Sequence, residues 1–108
     1  MFDLDPAANE IAFNDWYNEE HVSERLACPG FIHARRFRAV SGSPQYLTTY
    51  GVESLAALET PQYLSLMSSV RPNADASPLT KEMVGAIRLL NRNIFREIDL
   101  TKPYRPPA

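Results

Sequence analysis

Tyr17, His21 and Arg25 stand four residues apart in the stretch NDWYNEEHVSERLACPGF, which runs from Asn14 to Phe31. On a helix that spacing lines a phenol, an imidazole and a guanidinium along one side. The imidazole titrates near neutrality and a neighbouring carboxylate shifts it across working pH, so His21 is the leading candidate for proton transfer. Glu20 precedes it but projects about 100° away around the helix. Arg25 offers a planar fork to a carboxylate ligand, or equally forms a salt bridge with Glu24. His21 also has a second reading, as a helix-end residue that bonds a neighbour and fixes the chain before Pro29-Gly30. Trp16 and Phe13 lie on the apolar stripe of the same helix and read as core first, pocket lining second.

A second group comes from two extended runs. His33 and Arg35 share one face of the first run with Phe31 and Phe37, and Tyr46 and Tyr50 on the next run can stand opposite them. A His and an Arg are costly to bury unpaired. Together with the tyrosines they would polarise a carbonyl or stabilise an enolate, or else form an internal polar network that serves the fold. Of the two tyrosines Tyr50 is the better pocket candidate, because it lies further from the turn.

No cofactor or metal is expected. The two histidines are twelve residues apart, one on a helix and one on a strand, and this is no ligand signature. Four glycines supply no phosphate loop, and no serine elbow is present. Neither histidine is favoured as a haem ligand. Cys28, beside Pro29, lacks the cationic neighbour that would activate it and reads as packed.

These residues must be positioned by a small set of elements. Phe2-Asp3-Leu4 is a short extended segment, and Asp5-Pro6 has the chemistry of a helix start. Ile11, Phe13, Trp16, Tyr17, Glu20, His21 and Glu24 follow at helical spacing, and Pro29-Gly30 ends the helix. Phe31 to Val40 and Gln45 to Val52 form a hairpin around Ser41-Gly42-Ser43-Pro44. Glu53 to Ser69 is helical again, broken near Pro61. The polar, proline-bearing 68–78 segment is a long loop of the kind that forms lids. Thr80 to Gly85 makes a helical turn, and Ile87 to Ile98 a last strand. The order is β-α-β-β-α-β, a ferredoxin-like α+β domain with a four-stranded antiparallel sheet over residues 1–100, followed by an extended proline-rich tail over 101–108. Both helices on one face leave the other face bare, and a second copy of the sheet is its natural cover. A homodimer is the expectation.

The chain has 108 residues, a net charge of −2 and one cysteine. It is one domain, it attracts neither nucleic acid nor an anionic membrane at long range, and it can form no internal disulfide. No apolar run reaches the ~18–20 residues of a membrane span. MFDLDPAANE lacks the hydrophobic centre of an export signal, so a cytoplasmic location is expected.

FNDWYNEEHVSERLACPGF, with ARRFRAV and QYLTTYGVES after it, resembles the EthD-like group of the dimeric α+β-barrel superfamily. The likeness lies in a Trp-Tyr helix ending in Glu-His, an Arg four residues beyond, a Pro-Gly-Phe strand entry and a Tyr-Leu-x-x-Tyr third strand. It covers residues 2 to 67 and is weaker in the last strand. A first strand as short as this one departs from the pattern and would need extra pairing from the tail or a partner. The superfamily hosts cofactor-free monooxygenases, polyketide cyclases, muconolactone-type isomerases and aldoxime- or haem-handling enzymes. The resemblance implies a homodimer with a small aromatic or carbonyl-bearing substrate between helix and sheet. In an isomerase, cyclase or lyase His21 would move the proton, Tyr50 would assist, and Arg25 or Arg35 would orient an anionic group. Trp16, Tyr17, His33, Arg35 and Tyr46 would contact the substrate. The alternatives are a cofactor-free monooxygenase of phenolic substrates and a non-catalytic small-ligand-binding or stress-related protein.

Overall fold

Asn9, rather than Asp5, starts the first helix. Its Oδ1 accepts from the Ala12 amide at 3.0 Å, and Glu10 places a negative charge in the first turn. Asp5 instead accepts from the Ala7 amide at 2.9 Å, so Asp5-Pro6 belongs to a turn that precedes the helix. The computed structural model describes residues 1–67 and 77–106. They form β1 (Asp3–Leu4), α1 (Glu10–Trp16), a π-helical turn (Tyr17–His21), α2 (Val22–Leu26), β2 (Phe31–Arg38) and β3 (Tyr46–Val52). A 3₁₀ turn (Leu55–Glu59), α3 (Pro61–Leu66), α4 (Pro78–Gly85) and β4 (Ile87–Arg88) complete the order.

Helical dihedrals continue through both junctions of the π turn, so residues 10–26 form one helix with a wide turn in its middle. The Val22 amide closes that turn on the Tyr17 carbonyl, one residue further back than an α-helix would allow. The helix ends at Leu26 with Ala27 as its C-cap, and the turn that follows closes at Gly30, whose φ is +86°; a Cβ there would also lie 2.6 Å from the Ala57 Cβ. Both facts call for glycine.

β2 and β3 pair antiparallel, with Ala34 opposite Tyr50, Arg36 opposite Thr48 and Arg38 opposite Tyr46. β1 and β4 pair antiparallel through Asp3–Arg88 and Leu4–Ile87. A single antiparallel bridge, Phe2 with Tyr46, joins the two pairs by reciprocal amide bonds of 3.0 and 2.9 Å. The domain is therefore α+β with small antiparallel sheets.

The strand expected over 87–98 is confined to Ile87–Arg88. Leu89 takes φ +53°, which a γ-branched L-residue adopts at a cost, and this throws the chain out of the pleat. One more reciprocal pair follows, between Asn91 and Met1, and from there to residue 106 every residue is exposed. The helix expected over 53–69 is split at Thr60, whose hydroxyl caps α3 by accepting from the Tyr63 amide. Most of the 68–78 loop lies outside the described residues. Its end is the start of α4, where Ser77 caps and Pro78 fills the first turn, making this helix longer than the expected 80–85.

The core is aromatic. Phe13 is fully buried, with ring centroids of Phe2, Trp16, Tyr17 and Tyr46 between 5.7 and 6.1 Å away. Its burial alone stabilises the fold by about 1.5–3 kcal/mol. Leu4 and Met83 close the cluster from β1 and α4. Among the described residues no helix is long and apolar enough to cross a membrane.

Candidate functional site

Side chains directly opposite one another in a sheet share a face. The register therefore puts Ala34, Arg36 and Arg38 on the same face as Tyr50, Thr48 and Tyr46, and this face meets the long helix. His33 and Arg35 stand on the other face and are exposed, together with Phe37. The expected cluster of His33 and Arg35 with Tyr46 and Tyr50 is not made, and Arg36 occupies the place foreseen for Arg35. His33 lies instead over Gly51, where a Cβ would come within 2.4 Å of its Nε2. A bulge between Phe31 and His33 adds one residue to β2 and swings Phe31 to the inner face. There its ring packs against Tyr50 at 5.9 Å and Tyr63 at 5.2 Å.

The helix supplies the other wall. Tyr17 is buried, stacked on Phe2, and its ring centroid lies 4.4 Å from that of His21. His21 also packs against Trp16 at 5.3 Å. Trp16 is tied to α4 through its indole N–H, which donates to Thr80 Oγ1 at 3.0 Å, and that hydroxyl donates on to Glu20 at 2.9 Å. Trp16 is thus core, with one edge towards His21. Arg25 is buried, next to Met67 Sδ at 3.9 Å and the Glu24 carboxylate at 4.0 Å. Cys28 is packed, and burial pushes its thiol up, which keeps it unreactive.

Arg36 spans the two walls. Its guanidinium sits 4.0 Å above the Tyr17 ring and 5.7 Å from the Tyr46 ring, and Nη1 donates to Asn18 Oδ1 at 2.9 Å. Burial lowers its affinity for the proton, with the tyrosines Tyr17, Tyr46 and Tyr50 opposing, and an arginine keeps its charge regardless. Tyr50 holds its proton far above the usual tyrosine range. Burial is the main cause and the Tyr17 phenol adds to it, while Arg25 and Arg36 pull the other way. Tyr17, Arg25, Arg36 and Tyr50 are therefore near neighbours. Three atoms in this region, Arg36 Nε, Thr48 Oγ1 and Tyr50 Oη, are buried with no hydrogen-bond partner among the described residues. Tyr17 is close enough to act on Tyr50, yet no bond to that hydroxyl meets full geometry.

Tyr46 has a different environment. Its hydroxyl donates to Glu10 Oε2 at 2.8 Å and accepts from Asn14 Nδ2 at 3.0 Å; Gln45 and Arg38 also reach Glu10. The Tyr46 bond, then the Arg38 charge, holds the Glu10 carboxyl below the usual carboxylate range. An open cleft of about 240 Å³ lies here, lined by Glu10, Asn14, Arg36, Phe37, Arg38 and Tyr46. Among the described residues no group of three or more His, Cys, Asp or Glu converges as a metal site.

The sequence brought Tyr17, His21, Arg25 and Tyr50 forward. It passed over Arg36 and Thr48, whose signal was their parity with Tyr46 and Tyr50 across the hairpin.

No family model and no solved structure matches the chain. Over 80 residues it is 31% identical to "Core atranone cluster (CAC) protein 1" of Stachybotrys chlorohalonatus (strain IBT 40285), an alignment that covers 72% of this chain and 34% of that protein. The chain thus spans about a third of the length of the curated relative it matches.

Proposed function

We propose that the chain is a cofactor-independent acid–base enzyme acting on a small aromatic or carbonyl-bearing molecule, of the isomerase, cyclase or lyase type, on an EthD-like dimeric α+β-barrel scaffold. One observation carries the reading: Tyr50, Arg25 and Arg36 gather around Tyr17, whose ring packs against His21 at 4.4 Å. His21 moves the proton. Tyr50, protonated at working pH, donates to the oxygen on which charge develops. Arg25 orients an anionic group, and Tyr17 with Trp16 forms the wall behind His21. Tyr46 lies at the cleft side of the same face. His33 and Arg35, on the outer face, meet a ligand only where a second sheet covers them.

The scaffold is supported by the order in which the strands touch. β4 pairs with β1, β1 bridges to β3 and β3 pairs with β2, all antiparallel, which is the neighbour order of a ferredoxin-like sheet. The molecule is 21 Å through its thinnest dimension, close to one sheet plus one helix layer at about 10 Å each. Phe37 on the outer sheet face and Ile94, Phe95, Ile98 and Leu100 beyond β4 are largely exposed, a set that a second copy would cover. Sedimentation equilibrium should give twice the chain mass at micromolar concentration. A stable monomer there removes the dimer from the reading.

The likeness to a protein of the core atranone cluster makes that cluster's chemistry the first place to look for a substrate. Hydrogen–deuterium exchange at acidic C–H positions of aromatic ketones, followed by NMR, tests the reaction class. His21→Ala should abolish exchange, and undiminished exchange in that variant overturns its catalytic role. A second reading, a binding protein without chemistry, is favoured by the cleft volume of about 240 Å³, below the ~300 Å³ of the smallest common ligand sites. Binding of a ketone with no exchange by the wild type would select it.

A further inference from the structure

We propose that Arg36, Thr48 and Tyr50 form a seat for an anionic oxygen carried on an aromatic ring, a phenolate or the enolate it resembles. The inference rests on the site described above and names the ligand chemistry that site takes.

The hairpin places the three groups together. Arg36 and Thr48 are directly opposed across β2 and β3, and Tyr50 is the next residue along the same face. Each presents a buried polar atom with no partner among the described residues, namely Arg36 Nε, Thr48 Oγ1 and Tyr50 Oη. Buried polar groups are nearly always bonded, because an unmade bond costs the full desolvation of the group. All three can donate, and Arg36 Nε can do nothing else. Three donors without partners, neighbours on one face of the hairpin, call for an acceptor.

Charge selects the kind of acceptor. Arg25 and Arg36 both act on the Tyr50 hydroxyl, and among the described residues no carboxylate acts on either Arg36 or Tyr50. Arg36 Nη1 is bonded to a neutral amide, Asn18, and its guanidinium face to the Tyr17 ring. Arg36 itself makes no ion pair with a carboxylate among the described residues, and an anionic oxygen fits it better than a neutral carbonyl or a water. Tyr50 keeps its proton well above neutrality, so it remains a donor when the anion arrives.

The surroundings select the body of the ligand. The Tyr17 and Tyr46 rings flank Arg36, the Phe31 ring packs on Tyr50 and is backed by Tyr63, and of the three donors' side chains that of Arg36 lines the open cleft. Aromatic walls around a fixed cation match a flat conjugated anion.

4-Nitrophenol reports both binding and ionisation through its visible absorbance. On mixing with the wild-type chain, its apparent pKa should fall by about one unit, since the seat favours the phenolate. 4-Nitroanisole, of the same shape without the charge, should bind at least tenfold more weakly by NMR titration. Arg36→Gln and Tyr50→Phe should each weaken phenolate binding about tenfold and leave nitroanisole unchanged, the size expected for one hydrogen bond to a charged group. Arg88→Gln, which removes an equal charge from a distant exposed pair with Asp5, should change nothing. A 4-nitrobenzoate arm separates phenolate from carboxylate, and tighter benzoate binding overturns the phenolate assignment. An unshifted phenol pKa, equal affinity for the anisole, variants that bind like wild type, or no binding of 4-nitrophenol at its solubility limit each overturns the seat. Loss of exchange in His21→Ala together with an unshifted phenol pKa on the wild-type chain refutes the seat and spares the acid–base reading.

Discussion

Replacing Tyr50 by Phe should stabilise the protein. Aromatic truncations in a small domain usually do the reverse, so the sign is diagnostic. The phenol ring contacts Phe31 at 5.9 Å, and Tyr50→Phe preserves that contact. What the substitution removes is a hydroxyl buried without a partner among the described residues. Such a group costs about 1–3 kcal/mol, and shortening the side chain by one oxygen opens little space, so a gain of about 1 kcal/mol is expected. For a chain of this size that is about 4–5 °C in Tm. The pH dependence supplies a second signature. The folded protein holds the Tyr50 proton above the ordinary range, so its stability is full below that range and falls as pH climbs through it, when the unfolded chain ionises first. Tyr50→Phe should lose that alkaline decline. Urea melts followed by circular dichroism at neutral and alkaline pH measure both effects. Tyr46→Phe is the internal control: that hydroxyl is bonded to Glu10 and Asn14, and its loss should lower Tm. Destabilisation by Tyr50→Phe of more than about 1 kcal/mol would show that its hydroxyl is well bonded in solution and would refute the reasoning.

Three further outcomes follow from the packing and the charges. Phe13→Ala should cost about 3–5 kcal/mol in denaturant melts, enough to unfold much of a domain whose total stability is ~5–15 kcal/mol. Gly30→Ala should lower Tm sharply, because the new Cβ meets both a positive φ and Ala57, whereas Gly42→Ala, at the same φ in open space, should cost less. The Glu10 carboxyl is depressed in the folded state, so its contribution is present above the ordinary carboxylate range and lost as pH falls through the lower folded value. Glu10→Gln should flatten that acid limb of the stability profile, and an unchanged limb would assign the acid sensitivity elsewhere.

Much of the fold was legible because its signals are local. Pro29-Gly30 ends a helix in any context, two extended runs around Ser41-Gly42-Ser43-Pro44 make a hairpin, and Thr60-Pro61 separates two helical pieces. The errors fall where two local signals compete or where the deciding force is distant. Asp5-Pro6 and Asn9 are both good helix starts; Asn9 prevails because a helix beginning there brings Phe13, Trp16 and Tyr17 onto Phe2 and Tyr46. Ile87 to Ile98 alternates like a strand, yet a strand also needs a neighbour, and among the described residues its pairing with β1 is confined to Ile87 and Arg88, with the Asn91–Met1 bonds beyond them. The π turn likewise has no residue signature, although it leaves Tyr17 and His21 in contact as their four-residue spacing suggested.

The candidate site turned on a quantity that residue types do not carry, the parity of the hairpin. The ladder closes with the Ala39 amide on the Gln45 carbonyl, leaving five residues, 40 to 44, in the connection. Every directly opposed pair from His33–Gly51 to Arg38–Tyr46 then joins odd with odd or even with even. Even-numbered Tyr46, Thr48 and Tyr50 must share a face with Arg36 and Arg38, and His33 and Arg35 must turn away. A connection one residue longer or shorter would have exchanged them, putting an imidazole and Arg35 under the helix and leaving Arg36 outside. The length of a surface turn thus decides whether the interior face of this hairpin carries a titrating base or a permanent cation. It carries the cation. In the proposed reaction the base is therefore assigned to the helix, to His21, while the sheet would supply fixed positive charge and hydroxyl donors.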